Sequence, residues 1–236
     1  MEDNKAVWIT GTSSGIGRAL AVEFARNGEL VIATSRKVSL IQNFKKELGN
    51  KSKFIIPFEL DIRNREAIIS FYSEVSRNYN ITTLINNAGQ SSFKSAKEDS
   101  IDEIKDIIEV NLLGSIYCIK TVLPSMINNN RGTIINILSV VTQKIFKNSS
   151  AYSASKNGLM AYSQVLREEV RENNIRVVNV YPGATKTSIW PNQILEKFSH
   201  RMMTPEEIAK IVYQVYSQKS AVVTEEILLR PIQGDL

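Results

Sequence analysis

The chain is poor in cysteine, histidine and proline, and these shortages exclude several kinds of protein. Its 236 residues include one cysteine, one histidine and six prolines. A single cysteine, Cys118, cannot form an internal disulfide, and the apolar pattern around it indicates a buried position. The lone His200 belongs to no His, Cys or acidic pattern with metal-ligand spacing. Neither a disulfide scaffold nor a metal site is therefore expected.

Long apolar runs are also absent from the sequence. None approaches the roughly 20 residues that a membrane-spanning helix needs, so no association with a membrane is expected. The first residues pass directly into a short apolar run without the basic stretch and long apolar segment of an export signal. We therefore expect a cytoplasmic location.

The net charge is only moderately positive, and it is spread along the chain. A formal charge of +5 arises from 29 basic and 24 acidic residues, which alternate in stretches such as Arg167-Glu168 and Lys46-Glu47. Nucleic-acid binding usually requires basic residues that cluster on one face. The distribution favours a solvated surface over a nucleic-acid interface.

Short runs rich in valine and isoleucine recur, with helical spacing between them. Apolar side chains fill consecutive positions in these runs, which is typical of strands covered on both faces. Between the first two runs, Ile16, Leu20 and Phe24 repeat at helical spacing. The alternation predicts one α/β domain over residues 1–236, with a doubly wound parallel sheet of about seven strands and helices on both faces. The predicted strands are residues 7–10, 30–34, 54–58, 83–86, 132–137, 176–181 and 222–229.

A glycine-rich turn connects the first predicted strand to the first predicted helix. Gly11 permits a tight turn, Gly15 a close approach of a pyrophosphate, and Gly17 close packing of the helix on the strand. The free N–H groups at the start of a helix bind anions. We predict a dinucleotide-binding turn, although a tight turn without a ligand is the alternative. Its residues are Gly11, Ser13, Ser14, Gly15, Ile16 and Gly17.

The end of the second predicted strand indicates which dinucleotide is preferred. An NAD-specific site usually has an acidic residue there, which binds the ribose hydroxyls. In this chain the strand is followed by Arg36 and Lys37, and a guanidinium suits a 2′-phosphate. NADP(H) is therefore favoured over NAD(H), which stays possible because both residues could be solvated loop charges.

Tyr152 and Lys156 are four residues apart and share one face if the segment is helical. A tyrosine has an ordinary pKa of about 10, and a nearby lysine cation lowers it, so that the phenol can exchange a proton at neutral pH. Ser139 follows the fifth predicted strand, where its hydroxyl could hold a carbonyl oxygen. A Tyr-x-x-x-Lys pair alone is often a surface coincidence. Its conjunction with the glycine turn predicts carbonyl–alcohol chemistry.

Together these motifs resemble the short-chain dehydrogenase/reductase family, in its compact single-domain form with a Rossmann-type fold. The resemblance runs from about Lys5 to the C-terminus. It implies that Asp61 and Ile62 contact adenine, that Thr187 holds the nicotinamide carboxamide, and that Asn111 supports a proton-relay water. The further residues implied in cofactor binding are Asn87, Ala88, Gly89, Tyr152, Lys156, Pro182, Gly183 and Thr185.

Several of these residues also have a purely structural interpretation. Asn87 could only fix the backbone at the end of a strand, and Asn111 could bond to a neighbouring main-chain group. The Pro182-Gly183 pair could be only a turn. For Asn111 the structural role and the relay are compatible.

The resemblance implies an NADP(H)-dependent oxidoreductase that interconverts a small carbonyl compound and an alcohol, with tyrosine as the general acid and base. A 3-oxoacyl thioester reductase of fatty-acid synthesis is the chief rival in the same class. A non-catalytic NADP(H)-binding sensor on the same fold is the alternative outside it. The family also implies a homodimer or homotetramer, formed by helices around Asn111 and Tyr152 and by the last strand.

The segment 188–203 is where members of this family carry a substrate lid. Its apolar residues Trp190, Ile194, Leu195 and Phe198 either cover an apolar substrate or simply pack onto the domain. We expect residues 140–148 and 90–93 to form the remaining wall. No charge dominates these loops, so a multiply charged substrate is not indicated.

Overall fold

Seven parallel strands form one sheet in the computed structural model, which describes residues 4–218 and 222–236. The strands are β1 (Lys5–Thr10), β2 (Leu30–Ser35), β3 (Ile55–Glu59), β4 (Asn80–Asn86), β5 (Gly132–Ile137), β6 (Ile175–Pro182) and β7 (Glu226–Leu229). Their order is β3-β2-β1-β4-β5-β6-β7, which confirms the predicted doubly wound sheet. Residues 1–3, on which the expectation about an export signal partly rests, and residues 219–221 of the predicted domain lie outside the described residues.

Helices cover both faces of this sheet, as the apolar pattern predicts. The α-helices of the described residues are α1 (Gly15–Arg26), α2 (Val38–Lys46), α3 (Arg65–Val75), α4 (Ile101–Ile108), α5 (Ser115–Asn128), α6 (Ser150–Glu169), α7 (Asn192–Phe198) and α8 (Pro205–Tyr216). The side chains of successive residues of β1 pack on opposite faces of the sheet. Ala6 and Trp8 pack with α3, α5 and α6, whereas Val7 and Ile9 pack with α1, α2 and α8. The buried Cys118 lies in the first of these two cores, where the sequence places it.

Two strand boundaries differ from the predictions. β4 begins at Asn80 instead of residue 83, because Lys5 of β1 pairs with it. β7 covers only the second half of residues 222–229. The residue before β7, Glu225, is instead bound by Arg167, whose Nη1 lies 3.2 Å from Glu225 Oε2. Arg167 is buried in this contact, so the expectation of a solvated position for it is wrong.

The helical stretch Ile101–Asn128 is apolar enough, by length and composition alone, to cross a membrane. In the fold it consists of α4, a π-helical turn (Glu109–Gly114) and α5. Its α5 part packs on the sheet beside α3, and its most apolar window is 44% buried. Core helices of α/β proteins have this composition, so the stretch is weak support for a membrane span.

A row of three buried asparagines crosses the middle of the sheet. Asn86 Nδ2 donates to Asn136 Oδ1 at 2.9 Å, and Asn136 Nδ2 donates to Asn179 Oδ1 at 3.1 Å. The three residues are at most 2% exposed and occupy matching positions of β4, β5 and β6. A shift of one residue would place these amides against apolar side chains. The row therefore specifies the register of the central strands.

Replacing Asn136 by alanine should lower the free energy of unfolding by about 1–3 kcal/mol, the cost of one unsatisfied buried polar group. The change leaves Asn86 Nδ2 without its acceptor, whereas Asn179 Oδ1 loses one donor and still accepts from Ser163 Oγ. Urea denaturation measures the effect. Asn43→Ala, on the exposed side of α2, is the control and should have little effect. Equal stability of the two variants would show that the row contributes nothing.

The sheet order reverses between β1 and β4, and the functional residues collect there. Because all seven strands are parallel, the loops that follow β1, β4, β5 and β6 meet at one edge of the sheet. Crevices at such reversal points are the usual ligand sites of open α/β sheets. These loops or the residues that border them contain the glycine turn, residues 87–89, Ser139 and residues 182–187.

Candidate active site

The glycine-rich turn has the close packing that its sequence predicts. Gly11 and Gly15 have φ values of +68° and +55°, which L-residues with side chains rarely adopt. A Cβ on Gly17 would lie 2.3 Å from the carbonyl oxygen of Gly11. α1 begins at Gly15, and the side chain of Ser14 makes no capping bond. The first N–H groups of α1 are therefore available to an anion, so the turn fits a pyrophosphate.

Asn87 holds this turn in place. Its Nδ2 donates to the carbonyl oxygens of Thr10 and Gly11, at 2.9 and 3.1 Å. Thr10 Oγ1 accepts in return from the main-chain N–H groups of Asn87 and Ala88. The structural interpretation of Asn87 is thus observed. Asn87, Ala88 and Gly89 also line a cavity beside the turn, so the predicted role in cofactor binding is compatible with the structural one.

A hollow of about 200 Å³ extends from the turn toward the end of β2. Its lining includes the predicted residues Gly11, Ser13, Ser14, Arg36, Asp61, Ile62, Ala88 and Gly89. Arg36 is exposed at its rim. Asp61 is bound by Arg63, whose Nη2 lies 2.6 Å from Asp61 Oδ2, and this hydrogen bond lowers the pKa of the Asp61 carboxyl. Sequence reasoning missed Arg63, which neutralises the one carboxylate that lines the hollow.

Ser139, Tyr152 and Lys156 meet in a cavity of about 330 Å³ at the end of β5. Ser139 lies two residues beyond the last residue of β5, whereas Tyr152 and Lys156 lie one turn apart on α6. Lys156 Nζ donates to the carbonyl oxygen of Ile137 at 2.7 Å and lies 5.8 Å from the centroid of the Tyr152 ring. Ser14, Gly15, Ile16, Pro182 and Thr187 also line this cavity. The structure thus brings Ser139, Tyr152 and Lys156, here called the reactive group, into one cavity with the glycine turn.

Burial determines the protonation of both α6 residues. It raises the pKa of Tyr152 to about 12, against a hydrogen bond with Ser139 that lowers it. It also lowers the pKa of Lys156 to about 8. Burial is the largest influence on the pKa of Tyr152, and the lowering by Lys156 that the sequence suggests stays a prediction. Tyr152 therefore carries its proton at neutral pH.

Asn111 lies in the π-helical turn between α4 and α5, with its side chain fully bonded inward. Its Oδ1 accepts from the N–H of Gln90, and its Nδ2 donates to the carbonyl oxygen of Gln90 and to Ser155 Oγ, each at 2.9 Å. π-helical turns are often found at functional sites. The main-chain contact is the one that the structural interpretation of Asn111 expects, and Ser155 ties it to α6 beside Lys156.

The residues predicted to bind the cofactor at the end of β6 do not all line the same cavity. Pro182 and Thr187 line the cavity of the reactive group. Gly183 lines the neighbouring cavity instead, and Thr185 lines neither. The Thr185 hydroxyl donates to the carbonyl oxygen of Gly183, and its own carbonyl oxygen accepts from Trp190 Nε1, both at 3.0 Å. Thr185 therefore supports the lid rather than facing the cleft.

A second cavity, of about 290 Å³, adjoins the reactive group under the segment 188–203. Trp190, Ile194 and Phe198 line it, whereas Leu195 does not. All three are partly buried against this cavity, and the lid stays a prediction. The other apolar lining residues are Phe93, Val140, Val141, Phe146, Ala184, Ile189 and Leu236, so the loops 90–93 and 140–148 contribute walls as expected.

An aromatic pair closes one side of this cavity. The rings of Phe93 and Trp190 stack with centroids 4.8 Å apart and planes inclined by 27°. Phe93 has a φ of +52°, an uncommon conformation for a bulky side chain and one that costs on the order of 1–3 kcal/mol. The stack therefore fixes a strained loop residue against the lid.

Some lining residues have no signal in the sequence that would have identified them. Leu138, which precedes Ser139, lines the first cavity, as do Gln90 and Ser91 of the predicted wall 90–93. Of these three, only Leu138 is not predicted by the sequence. Asp235 and Leu236 reach the second cavity from the far end of the chain. Within the part of the chain that the structure describes, no group of three or more His, Cys, Asp or Glu side chains could hold a metal ion.

Comparison with known proteins yields similar chains along nearly the whole length. The family model described as short chain dehydrogenase matches residues 5–197. A sepiapterin reductase of Chlorobaculum tepidum is 31% identical over 236 residues, which cover 97% of this chain and 96% of that protein. An uncharacterized oxidoreductase of Staphylococcus aureus is 28% identical over 97% of this chain and 98% of its own.

Solved structures are similar over the same extent. The closed form of a serine dehydrogenase complexed with NADP+ has a TM-score of 0.90 at 27% identity, and covers 98% of this chain and 96% of its own. An alcohol dehydrogenase from the archaeon Thermococcus sibiricus, complexed with 5-hydroxy-NADP, has a TM-score of 0.86 at 27% identity. That alignment covers 97% of each chain.

Proposed function

Since the chain belongs to the short-chain dehydrogenase/reductase family, we propose that it is an NADP(H)-dependent reductase of apolar ketones or aldehydes and acts in reverse on the alcohols. One observation carries this proposal. Ser139, Tyr152 and Ile189 line both the cavity beside the glycine turn and the apolar cavity under the lid. The reactive group therefore lies where a cofactor site and a substrate site meet.

Each reactive side chain has a distinct role in the proposed reaction. The Ser139 hydroxyl donates to the substrate carbonyl oxygen and holds it beside the Tyr152 phenol. Tyr152, protonated at neutral pH, transfers its proton to that oxygen. The Lys156 ammonium stabilises the phenolate that remains, and Asn111 positions α6 through Ser155. NADPH, when bound, supplies the hydride for the carbonyl carbon.

The same geometry supports NADP(H) as the cofactor. The turn of residues 11–17 would hold the pyrophosphate, with Thr187 and Pro182 beside the nicotinamide end. Arg36 at the rim of the hollow would bind the 2′-phosphate, while Arg63 neutralises Asp61. Complexes with NADP or a derivative of it are known for the serine dehydrogenase and alcohol dehydrogenase neighbours.

A panel of carbonyl compounds tests the function. Apolar aromatic and aliphatic ketones and aldehydes should be reduced with consumption of NADPH, because the cavity under the lid is mainly apolar. Sepiapterin belongs in the panel because of the 31% identical relative, and a 3-oxoacyl thioester tests the rival activity. NADPH binding without turnover of any class would favour the non-catalytic sensor.

Activity should decrease as the pH rises above 8. The pKa of Lys156 is about 8, so half of the lysine is ammonium at that pH, nearly all of it is ammonium more than a unit below, and the ammonium fraction falls about tenfold per unit well above it. The charge that stabilises the Tyr152 phenolate is lost with it. Initial rates of ketone reduction from about pH 6 to pH 10 measure the profile. The slower variant Lys156→Arg, which stays charged, should give a flat profile, and a flat wild-type profile would contradict the role of Lys156.

We also propose a homodimer or homotetramer. Ile101 and Leu113, near Asn111, and Val165 on α6 are exposed apolar residues on the helices that the family resemblance implicates. Light scattering of the purified chain counts the subunits. A monomer at micromolar concentration would contradict this proposal.

A further inference from the structure

The C-terminal residues extend beyond the last strand into the wall of the substrate cavity. Asp235 and Leu236 line it together with Ser139 and Tyr152. They follow β7 at the edge of the sheet and are not part of any helix or strand. The segment joins the reactive group in space although it is more than 75 residues from Tyr152 in sequence.

The Asp235 side chain connects this segment to a wall of the cavity. Only 6% of it is exposed, and its Oδ2 lies 3.3 Å from Lys144 Nζ and 3.4 Å from Arg230 Nη1. Lys144 belongs to the loop 140–148, and Arg230 directly follows β7. A carboxylate that is largely withdrawn from water interacts more strongly with its partners than a surface carboxylate does.

The same residue also contacts the lid. Arg201 Nη2 donates to the main-chain oxygen of Asp235 at 3.4 Å. Arg201 ends the 3₁₀ turn Ser199–Arg201, which directly follows α7. One residue therefore joins the chain end, the loop 140–148 and the lid, which are three walls of one cavity.

Two charged groups at this junction are incompletely bonded. Asp235 Oδ1 and Arg201 Nε are both buried, and neither has a hydrogen-bond partner among the described residues. An unpartnered buried group of this kind is costly. The two groups have opposite charges and lie on residues that already touch. A closer approach of the turn 199–201 to the chain end would pair them and draw α7 over the cavity.

We propose that Asp235 is a positioning residue that latches the lid and the loop 140–148 around the substrate, and that it places Leu236 as an apolar wall opposite the reactive group. The inference rests on the proposed reductase function of the same cavity. It makes the last two residues determinants of specificity for the apolar part of the substrate. The chemistry itself stays with Ser139 and Tyr152.

Asp235→Ala tests the latch, with Gln233→Ala as the matched control. Gln233 is exposed on the same segment and does not line the cavity. For Asp235→Ala the KM of an apolar ketone should rise about tenfold, the effect of losing hydrogen bonds to a charged group. Both kcat and the KM of NADPH should stay within about twofold. Asp235→Glu, which keeps the charge, should recover part of the lost affinity, and an unchanged ketone KM in Asp235→Ala would overturn the proposal.

Hydrogen exchange of the wild type and variants separates this proposal from the reductase function, because it needs no substrate. In Asp235→Ala, amides of residues 140–148 and 199–203 should exchange faster, while those of the central strand β5 keep their wild-type rates. Unchanged exchange in both segments would overturn the latch even if the enzyme reduces ketones. If the wild type reduces no carbonyl compound but the exchange responds, the latch stands and the reductase function fails.

Discussion

Replacing Tyr152 by phenylalanine is expected to lower kcat for ketone reduction by about 10²–10⁴-fold, the usual contribution of a general acid. The change removes one hydroxyl from a partly buried ring and leaves the ring itself in place on α6. NADPH affinity should stay within about threefold, because the glycine turn and Arg36 are untouched. Stopped-flow oxidation of NADPH and fluorescence titration of NADPH measure the two effects separately.

The control for this variant is Tyr162→Phe, also on α6. Tyr162 is partly buried in the core beneath α6 and lines neither cavity. Removal of the Tyr162 hydroxyl should leave kcat for ketone reduction unchanged. Turnover by Tyr152→Phe at the wild-type rate would refute Tyr152 as the proton donor.

Arg36→Ala is expected to raise the KM of NADPH by about 10- to 100-fold while the KM of NADH changes little. The guanidinium would make charge-assisted hydrogen bonds to the 2′-phosphate, and such bonds contribute on the order of 1.5–3 kcal/mol. NADH lacks this phosphate and loses nothing. Initial rates measured with each cofactor at saturating ketone give the two KM values and the ratio of NADPH to NADH efficiency.

Lys37→Ala separates a specific contact from general surface charge. Lys37 is the exposed neighbour of Arg36 and does not line the hollow. It should change the ratio of NADPH to NADH efficiency by less than about twofold, as expected for a screened surface charge. An unchanged ratio in Arg36→Ala would refute the assignment of this residue to the 2′-phosphate.

The parts of the site that sequence predicts are those set by local motifs at strand ends. The glycine spacing 11-15-17 requires a turn with positive φ and close packing, and the structure has both. Ser139 follows a buried strand, and parallel strands bring all their carboxyl ends to one edge. A sheet with the predicted order of strands and helices therefore brings Ser139 close to α6.

Properties that depend on burial or on distant segments are not visible in the sequence. The pKa of Tyr152 is one, since four-residue spacing shows that Lys156 is near but not how far both are withdrawn from water. The C-terminal residues are another. Asp235 reaches the cavity because β7 ends at the sheet edge beside β6, and no local pattern specifies the path that follows. Arg167 is a third case: its acidic neighbours in sequence are typical of a solvated surface, but its side chain is buried against Glu225.

Transfer of a deuteride from NADPH that carries deuterium at both positions of the nicotinamide C4 is the most direct test of the central claim, that Ser139, Tyr152 and Lys156 form a carbonyl-reducing centre. Mass spectrometry of the alcohol formed from an apolar ketone reads the label. We expect one deuterium at the carbinol carbon with the wild type and almost no labelled alcohol with Tyr152→Phe over the same time. The central claim would be contradicted by NADPH consumption without label in the alcohol, or by equal labelling with Tyr152→Phe and the wild type.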